Sequence, residues 1–325
     1  MRNTMLTLTG LAAVLACLQG TPALALNNKS FVSDAGNDLS SCLNALNACA
    51  TFAGALAKTA PGGEISVLNA GEYGPVTITQ AANITNDGAG EAGILVPSGQ
   101  TGITIVAGAG DIVSLRGLVI DGQGVGWIGI IITAASAVHI QNCVVRNLEG
   151  AGSSFGLVML PSGNTQLFVS DTIVFNNGSV ASTGGIAIEP LGTGNANVVL
   201  DRLHLENNVV GLLVNGASGT GNGAHVVIRD SVVSGNASDG ILATSASGKA
   251  PAFVVVEHTS SIDNGGVGIH ADGPRATMLL QENTVARNAV GIGAESSGQL
   301  ISYRNNAINN NLGPDGAPTG FYSLN

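Results

Sequence analysis

From about residue 112 onward, apolar and polar positions follow one pattern that returns at nearly even intervals along the chain. Each period holds three short runs rich in Val, Ile and Leu, and Asn, Asp or Gly separates one run from the next. Such runs are typical of β-strands, and helical spacing is absent from this region. The third run of each period opens with a glycine, and the positions of these glycines mark the repeat. They are Gly129, Gly156, Gly185, Gly211, Gly240, Gly266 and Gly291.

A short repeat with three strands excludes two common repeat folds. A WD-type propeller blade needs four strands and about 40 residues, and a leucine-rich repeat needs its Leu pattern and helical segments. A solenoid in which equivalent strands stack in parallel, roughly 4.8 Å apart, satisfies the pattern. An Asn recurs at one turn of each coil, where stacked amides are predicted to form a hydrogen-bonded ladder. These residues are Asn147, Asn176, Asn207, Asn236, Asn264, Asn288 and Asn310.

The repeats, together with the opening FVSDAGNDLSSC…ACATFAGALAKTAPGGEISVLNAGEYGPVTIT (residues 31–79), resemble known sequences. The chain resembles the pectin-lyase-like superfamily, and its opening is similar to secreted bacterial β-helix proteins without assigned activity. The resemblance implies an all-β, single-stranded right-handed parallel β-helix of about eight to ten coils. Because this scaffold carries many unrelated sites, the resemblance implies a fold and leaves the function open.

The two ends of the solenoid are predicted to be closed by different elements. Residues 48–60 predict one helix, with Phe52 and Leu56 on one face and a Pro-Gly-Gly stop after it. This helix is expected to cap the N-terminal mouth, and the tail from Gly313 to close the other end. The predicted organisation is a signal peptide, an N-terminal segment with the capping helix, and the β-helix, at residues 1–25, 26–63 and 64–325.

The predicted signal peptide depends on three features of the N-terminal segment before Leu26. Arg2 precedes an apolar run that is too short to span a bilayer. Small residues at −3 and −1 predict cleavage after Ala25, which would place the chain in the periplasm or outside the cell. Lipoprotein processing and lipid anchoring at Cys17 is the alternative. No later apolar run is long enough for a transmembrane helix.

The remaining cysteines and the charge limit the chemistry further. Cys42 and Cys49 predict a local disulfide in an oxidising compartment, and Cys143 is expected to be a buried small hydrophobe. No Cys/His metal spacing occurs, so we expect no cofactor and no metal. The formal charge of −10, from 11 basic and 21 acidic residues, argues against nucleic acid as a partner. With Trp127 as the only Trp, the sequence offers little support for sugar stacking.

Candidate catalytic residues come from the same resemblance. Members that cleave polyuronates use carboxylates around Ca²⁺ with a basic residue, or several Asp beside a His. Aligning the repeats brings one set of such residues to the turn after the first strand, namely Asp171, Arg202, Asp230 and His258. The residues one position earlier are Asp201, Arg229 and Glu257.

In both aligned sets, positive and negative charges alternate from coil to coil. Alternation favours a structural ion-pair ladder, because like charges stacked directly would repel. A Ca²⁺ cage needs carboxylates without Arg between them, so Ca²⁺ is expected only if the chain is a lyase. The functional alternative keeps the four turn residues as a hydrolase-like cluster, with the two Asp as general acid and base.

The middle outward position of the third strand is apolar on five successive coils. Its members are Ile131, Val158, Ala187, Leu213 and Leu242, followed by Gly268 and Gly293. This apolar stripe is expected either to be covered by loops of the same chain or to contact a partner, another copy or a lipid-like ligand. The alignment places His270 between Thr244 and Glu295 in a polar rim. His139, His204 and His225 are predicted to be isolated and to face solvent.

The leading functional hypothesis is a non-catalytic secreted or envelope protein that binds a surface partner or a polysaccharide along its long faces. One alternative is a polysaccharide lyase or glycoside hydrolase with a polyuronate-like substrate. A second alternative is a structural surface protein that associates with copies of itself through the apolar stripe.

Overall fold

The computed structural model describes residues 26–323, which form a parallel β-solenoid. Each turn contributes one strand to each of three parallel sheets, which we name A, B and C in the order in which the chain visits them. Sheet A has 12 strands, sheet B has 10 and sheet C has 9, so the chain makes nine complete turns. The predicted all-β solenoid is confirmed.

The strands of sheet A are Asn27–Val32, Thr59–Val67, Ala82–Thr85, Ile112–Arg116, Ala137–Gln141, Asn164–Ser170, Asn195–Asp201, Gly223–Arg229, Ala252–Glu257, Ala276–Gln281, Gln299–Ser302 and Gly320–Phe321. Those of sheet B are Gly71–Glu72, Ala92–Leu95, Leu118–Asp121, Val144–Arg146, Ile173–Phe175, His204–Glu206, Val232–Ser234, Ser260–Ile262, Thr284–Ala286 and Ala307–Ile308. Those of sheet C are Val76–Ile78, Thr101–Val106, Ile128–Ala134, Phe155–Met159, Gly184–Ile188, Val210–Asn215, Ile241–Thr244, Val267–Asp272 and Val290–Glu295.

The core runs along the axis of the solenoid and consists of the inward residues of all three sheets. In the strand Asn195–Asp201, Ala196, Val198 and Leu200 are buried, whereas Asn197 faces outward. In-register pairing stacks each inward residue on its equivalent one turn away, as Leu167, Val198 and Val226 illustrate. Since burying a Val, Leu or Ile side chain contributes about 1.5–3 kcal/mol, the repeat of inward apolar residues is what holds the coils together.

A ladder of Asn side chains closes the turn between sheets B and C. Some of its members lie one residue after the positions that the sequence predicted. The buried members are Asn177, Asn208, Asn236, Asn264, Asn288 and the half-buried Asn311. Each Nδ2 donates to the next Oδ1 over distances such as 2.8 Å between Asn236 and Asn264. The predicted members Asn147, Asn176, Asn207 and Asn310 instead precede the ladder and adopt positive φ. At Asn176, Asn207 and Asn310 a second Asn follows directly, so both alignments fit the sequence there.

The alignment of the third strand is wrong by two residues at one coil. Ile241 pairs with Ile269, which pairs with Ile292, so Gly268 and not Gly266 continues the row of strand-opening glycines. Gly265 and Gly266 belong to the preceding loop, which lengthens this period at the expense of the next. As a consequence His270, rather than Gly268, follows Leu242 in the outward row of sheet C.

The N-terminal segment contains less helix than the sequence predicted. A 3₁₀ turn covers Ala45–Asn47, and helix α1 covers only Phe52–Leu56. Residues 59 and 60 already belong to the sheet A strand Thr59–Val67, and the predicted stop at Pro61 lies within it. The β-branched residues after Gly63 and the pairing with Asn27–Val32 favour strand over helix here.

Several N-terminal predictions concern covalent processing and membrane insertion. Cys42 and Cys49 form a disulfide next to α1, and Cys143 is buried and free. The predicted signal peptide and the lipid-attachment residue Cys17 lie outside the described residues. In the described part of the chain, no helix has the length and apolar character needed to cross a bilayer.

Candidate functional site

The four candidate catalytic residues lie on the outside of the turn between sheets A and B. Asp171, Arg202, Asp230 and His258 occupy one left-handed corner position, with φ of 51°, 52°, 51° and 45°. Arg202 donates through Nε to Oδ1 of Asp171 over 2.7 Å and through Nη2 to Oδ2 over 2.9 Å. This paired guanidinium lowers the pKa of the Asp171 carboxyl. A carboxyl held ionised in this way is poorly suited to act as a general acid.

The ion pairs form a network that covers only part of the predicted ladder. Arg202 also pairs with Asp201, which accepts a 2.9 Å hydrogen bond from Nε of Arg229. Within residues 26–323 the Asp230 side chain has no ion-pair partner, because both arginines turn toward the preceding coil.

The fourth candidate belongs to a separate contact. His258 pairs with Glu282 on the following coil. Asp171 and Asp230 are two coils apart, about 10 Å, with Arg202 between them. The four residues thus form separate contacts at one corner, and a catalytic role for them stays a prediction.

The apolar stripe of Ile131, Val158, Leu213 and Leu242 lies on the outer face of sheet C. Val158 and Leu213 are only 4% exposed, and Ile131 and Leu242 are half-buried. They pack with Phe155, at the start of its strand, in a hydrophobic cluster outside the main core. The centre of the stripe is therefore covered by the chain itself.

His270 continues this row, and its two ring nitrogens have different surroundings. Its Nδ1 lies 2.8 Å from Oδ2 of Asp239, whereas its buried Nε2 finds no hydrogen-bond partner among residues 26–323 and lies 3.8 Å from Oε2 of Glu295. The Asp239 carboxylate raises the pKa of His270 against the opposing effect of burial. Asp272 pairs in register with both Thr244 and Glu295, so two carboxylates of the polar rim lie on adjacent coils, contrary to the sequence alignment.

The outer face of sheet A carries two aromatic pairs that the sequence analysis missed. His139 stacks on Phe168 with ring centroids 4.8 Å apart and planes 8° apart. His225 lies against Phe253 with centroids 5.9 Å apart and planes tilted by 46°. In each pair, the His and the Phe are direct register partners on neighbouring strands. His139 and His225 face solvent as predicted, but they are not isolated.

A groove lies between these two His–Phe pairs. It has a volume of about 300 Å³, with Val199 and Val227 in its floor and the amides of Gln166 and Asn197 on one side. A second depression of about 470 Å³ continues the groove along an Asn-rich edge that includes Asn195.

The groove is mostly apolar, with two amide side chains and no charged side chain at its edge. Neither the Gln166 nor the Asn197 side chain donates or accepts a hydrogen bond within residues 26–323. No Asp, Glu, Lys or Arg side chain of the described residues lines either depression. The same range contains no group of three or more His, Cys, Asp or Glu side chains arranged to hold a metal ion.

Comparison with known proteins identifies the architecture. Residues 193–320 match the family model described as "Right handed beta helix region". Pectate lyase Pel9A superposes with a TM-score of 0.63 at 14% identity, covering 90% of this chain and 79% of that one. The A-module of the Azotobacter vinelandii mannuronan C-5 epimerase AlgE4 gives a TM-score of 0.48 at 16% identity, with coverage of 81% and 91%.

A rhamnogalacturonan lyase gives a TM-score of 0.45 at 12% identity, with coverage of 84% and 75%. No curated protein matches the sequence significantly. These matches show that the chain has a right-handed parallel β-helix fold, which it shares with pectate lyase Pel9A.

Proposed function

We propose that this protein binds polysaccharide, without cleaving it, along the outer face of sheet A. The observation that carries the proposal is the groove between the two His–Phe pairs, in which the amides of Gln166 and Asn197 have no hydrogen-bond partner among residues 26–323. An aromatic face covers the C–H face of a sugar ring, while amides both donate to and accept from its hydroxyl groups. An apolar floor with a few placed polar groups is the usual composition of a ligand site.

The fold supports a carbohydrate ligand only in a general way. Pectate lyase Pel9A, which shares the fold, is named for its action on pectate. The cleavage alternative would use Asp171, Arg202, Asp230 and His258, with Ca²⁺ only in a lyase. Among these, Asp171 is held by Arg202 and His258 by Glu282, which favours binding over catalysis.

Affinity electrophoresis tests the proposal with polysaccharides embedded in native gels. The gels contain β-glucan, xylan, mannan, polygalacturonate or alginate, and a parallel reducing-end assay detects cleavage. We expect at least one polysaccharide to retard the wild-type protein and the double variant Phe168→Ala, Phe253→Ala to lose at least tenfold in affinity. A loss of about 1.4 kcal/mol gives this factor, and burying an aromatic ring contributes more.

Phe321→Ala is the matched control, because Phe321 is an exposed aromatic residue outside the groove. Equal retardation of the wild type and the double variant would contradict the proposal. New reducing ends would favour the hydrolase or lyase alternative instead. Mobility that depends on protein concentration, without any effect of polysaccharide, would favour self-association.

The site of action and the N-terminal cap complete the proposal. We propose export, with cleavage after Ala25 or lipid attachment at Cys17, and the mass of the mature N-terminus distinguishes these from an uncleaved chain. We also propose that α1 caps the solenoid, since Phe52 packs on Tyr73 at 5.1 Å and both are fully buried. An unchanged unfolding midpoint in Phe52→Ala would contradict the capping role.

A further inference from the structure

We infer that the ligand of the sheet A groove is an uncharged, extended glycan that spans both His–Phe pairs at once; this inference rests on the proposed function. The first argument is the repetition of the pair. His139 with Phe168 and His225 with Phe253 have the same composition and the same cross-strand arrangement. Two platforms of the same composition on one open face, one stacked and one tilted, suit a ligand that itself repeats, and a single sugar would occupy only one of them.

The register gives the separation and direction of the two platforms. From the strand of Phe168 to that of Phe253 there are three strand spacings, or roughly 14 Å along the solenoid axis. Phe253 lies in the register row of Gln166, which is two residues from the row of Phe168, and this offset adds roughly 7 Å along the strand direction. The platforms are thus about 16 Å apart on a line oblique to the axis. A ligand that touches both must be an oligosaccharide of several sugars.

The space between the platforms is continuous and suited to the middle of such a chain. Val199 and Val227 provide a shallow apolar floor, each half-buried and directly paired in register. Gln166 and Asn197 are register partners on neighbouring strands along one side of the groove. Their side-chain amides lie next to that floor and have no hydrogen-bond partner among residues 26–323. Hydroxyl groups of intervening sugars can bind these amides without displacing any hydrogen bond of the protein.

The charges around the groove favour an uncharged ligand over a polyuronate. No Lys or Arg side chain of the described residues lines the groove. The outward row beside it contains Arg116 and Arg229, and both already bind carboxylates, those of Asp87 and Asp201. With a formal charge of −10 for the whole chain, an anionic glycan would approach a repulsive surface without a free counter-charge.

Calorimetric titration of the mature full-length protein tests this inference. The probes are gluco-, xylo- and manno-oligosaccharides of two to six sugars, and oligogalacturonates of the same lengths. We expect one neutral series to bind, with Kd falling at least tenfold from two to five sugars and little beyond. Oligogalacturonates of equal length should bind at least tenfold more weakly, and affinity for the neutral series should not change between 50 and 500 mM salt.

Single variants test whether both platforms are used. Phe168→Ala and Phe253→Ala should each make the long ligand bind as weakly as the short one, with Phe321→Ala as control and circular dichroism to verify folding. Length-independent affinity, or tighter binding of oligogalacturonates in the same groove, would overturn this inference and leave the proposed function standing. Absence of binding in every series would overturn both.

Discussion

The outer faces of sheets A and C have similar apolar rows but different surroundings. On sheet C the row through Val158 and Leu213 is buried, whereas on sheet A the row through Phe168 and Val227 remains open to solvent. The connections beside the two faces also differ. Segments of four to eight residues precede six and follow five of the nine sheet C strands, while two residues connect sheet A to sheet B at six of ten connections. In this solenoid, the covered apolar row accompanies the longer connections and the open row lies beside the short ones.

The largest expected effect comes from placing a charge on each face. Leu213→Asp puts an unpaired carboxylate into the covered cluster and should lower the free energy of unfolding by about 3–5 kcal/mol. Val227→Asp, the matched change on the open face, should lower it by less than about 1 kcal/mol while abolishing polysaccharide binding. Urea denaturation and affinity electrophoresis measure the two effects. Equal destabilisation by both variants would mean that the faces do not differ.

A smaller effect concerns the histidine at the end of the covered row. His270 has a raised pKa in the folded protein, mainly through Asp239, with Glu295 and Asp272 contributing and burial opposing. Because the folded pKa is the higher one, its stabilisation is fully present below about pH 6.5 and is lost as pH rises through the folded value.

We therefore expect the free energy of unfolding of the wild type to decrease over this pH range relative to that of a variant without the imidazole. Urea denaturation of the wild type and His270→Gln from pH 5 to pH 9 measures it. A wild-type pH dependence that persists unchanged in His270→Gln would contradict the assignment.

The smallest expected effect concerns the exposed ion pairs beside the open face. Arg202→Ala removes the contacts to Asp171, which is exposed, and to Asp201, which is buried but keeps its ion pair with Arg229; exposed pairs contribute about 0–1 kcal/mol. We expect a loss of less than about 1 kcal/mol in urea denaturation and unchanged polysaccharide binding. If the wild type cleaved polysaccharide and Arg202→Ala did not, the catalytic interpretation of this corner would replace the structural one.

The solenoid was predictable from the sequence because the residues that repeat along the chain are the ones that stack in rows between coils. The recurrent glycines and inward Val, Ile and Leu required three parallel sheets, and the structure has them. Exact register was harder to predict. Asn176 and Asn177 both fit the ladder. Because the sequence alignment did not allow for the two extra residues before Val267, it placed His270 in the polar rim and not in the row of Leu242.

The site was less predictable than the fold because it depends on contacts across strands and on what covers them. His139 and Phe168 are a full repeat apart in the sequence and meet only when neighbouring coils are in register. Comparing outward positions of successive first strands would have found both His–Phe pairs. The burial of Val158 and Leu213 has no such signal, because it depends on the path of the connections.

Methyl-resolved NMR during a polysaccharide titration tests the central claim, that sheet A and not sheet C is the binding face. The probes are the methyl groups of Val199 and Val227 in the groove and those of Leu213 and Leu242 on sheet C, titrated with the neutral oligosaccharide that binds most tightly. The account predicts shifts of the two valine signals and unchanged leucine signals. Shifts confined to Leu213 and Leu242 would contradict it and place the site on the opposite sheet.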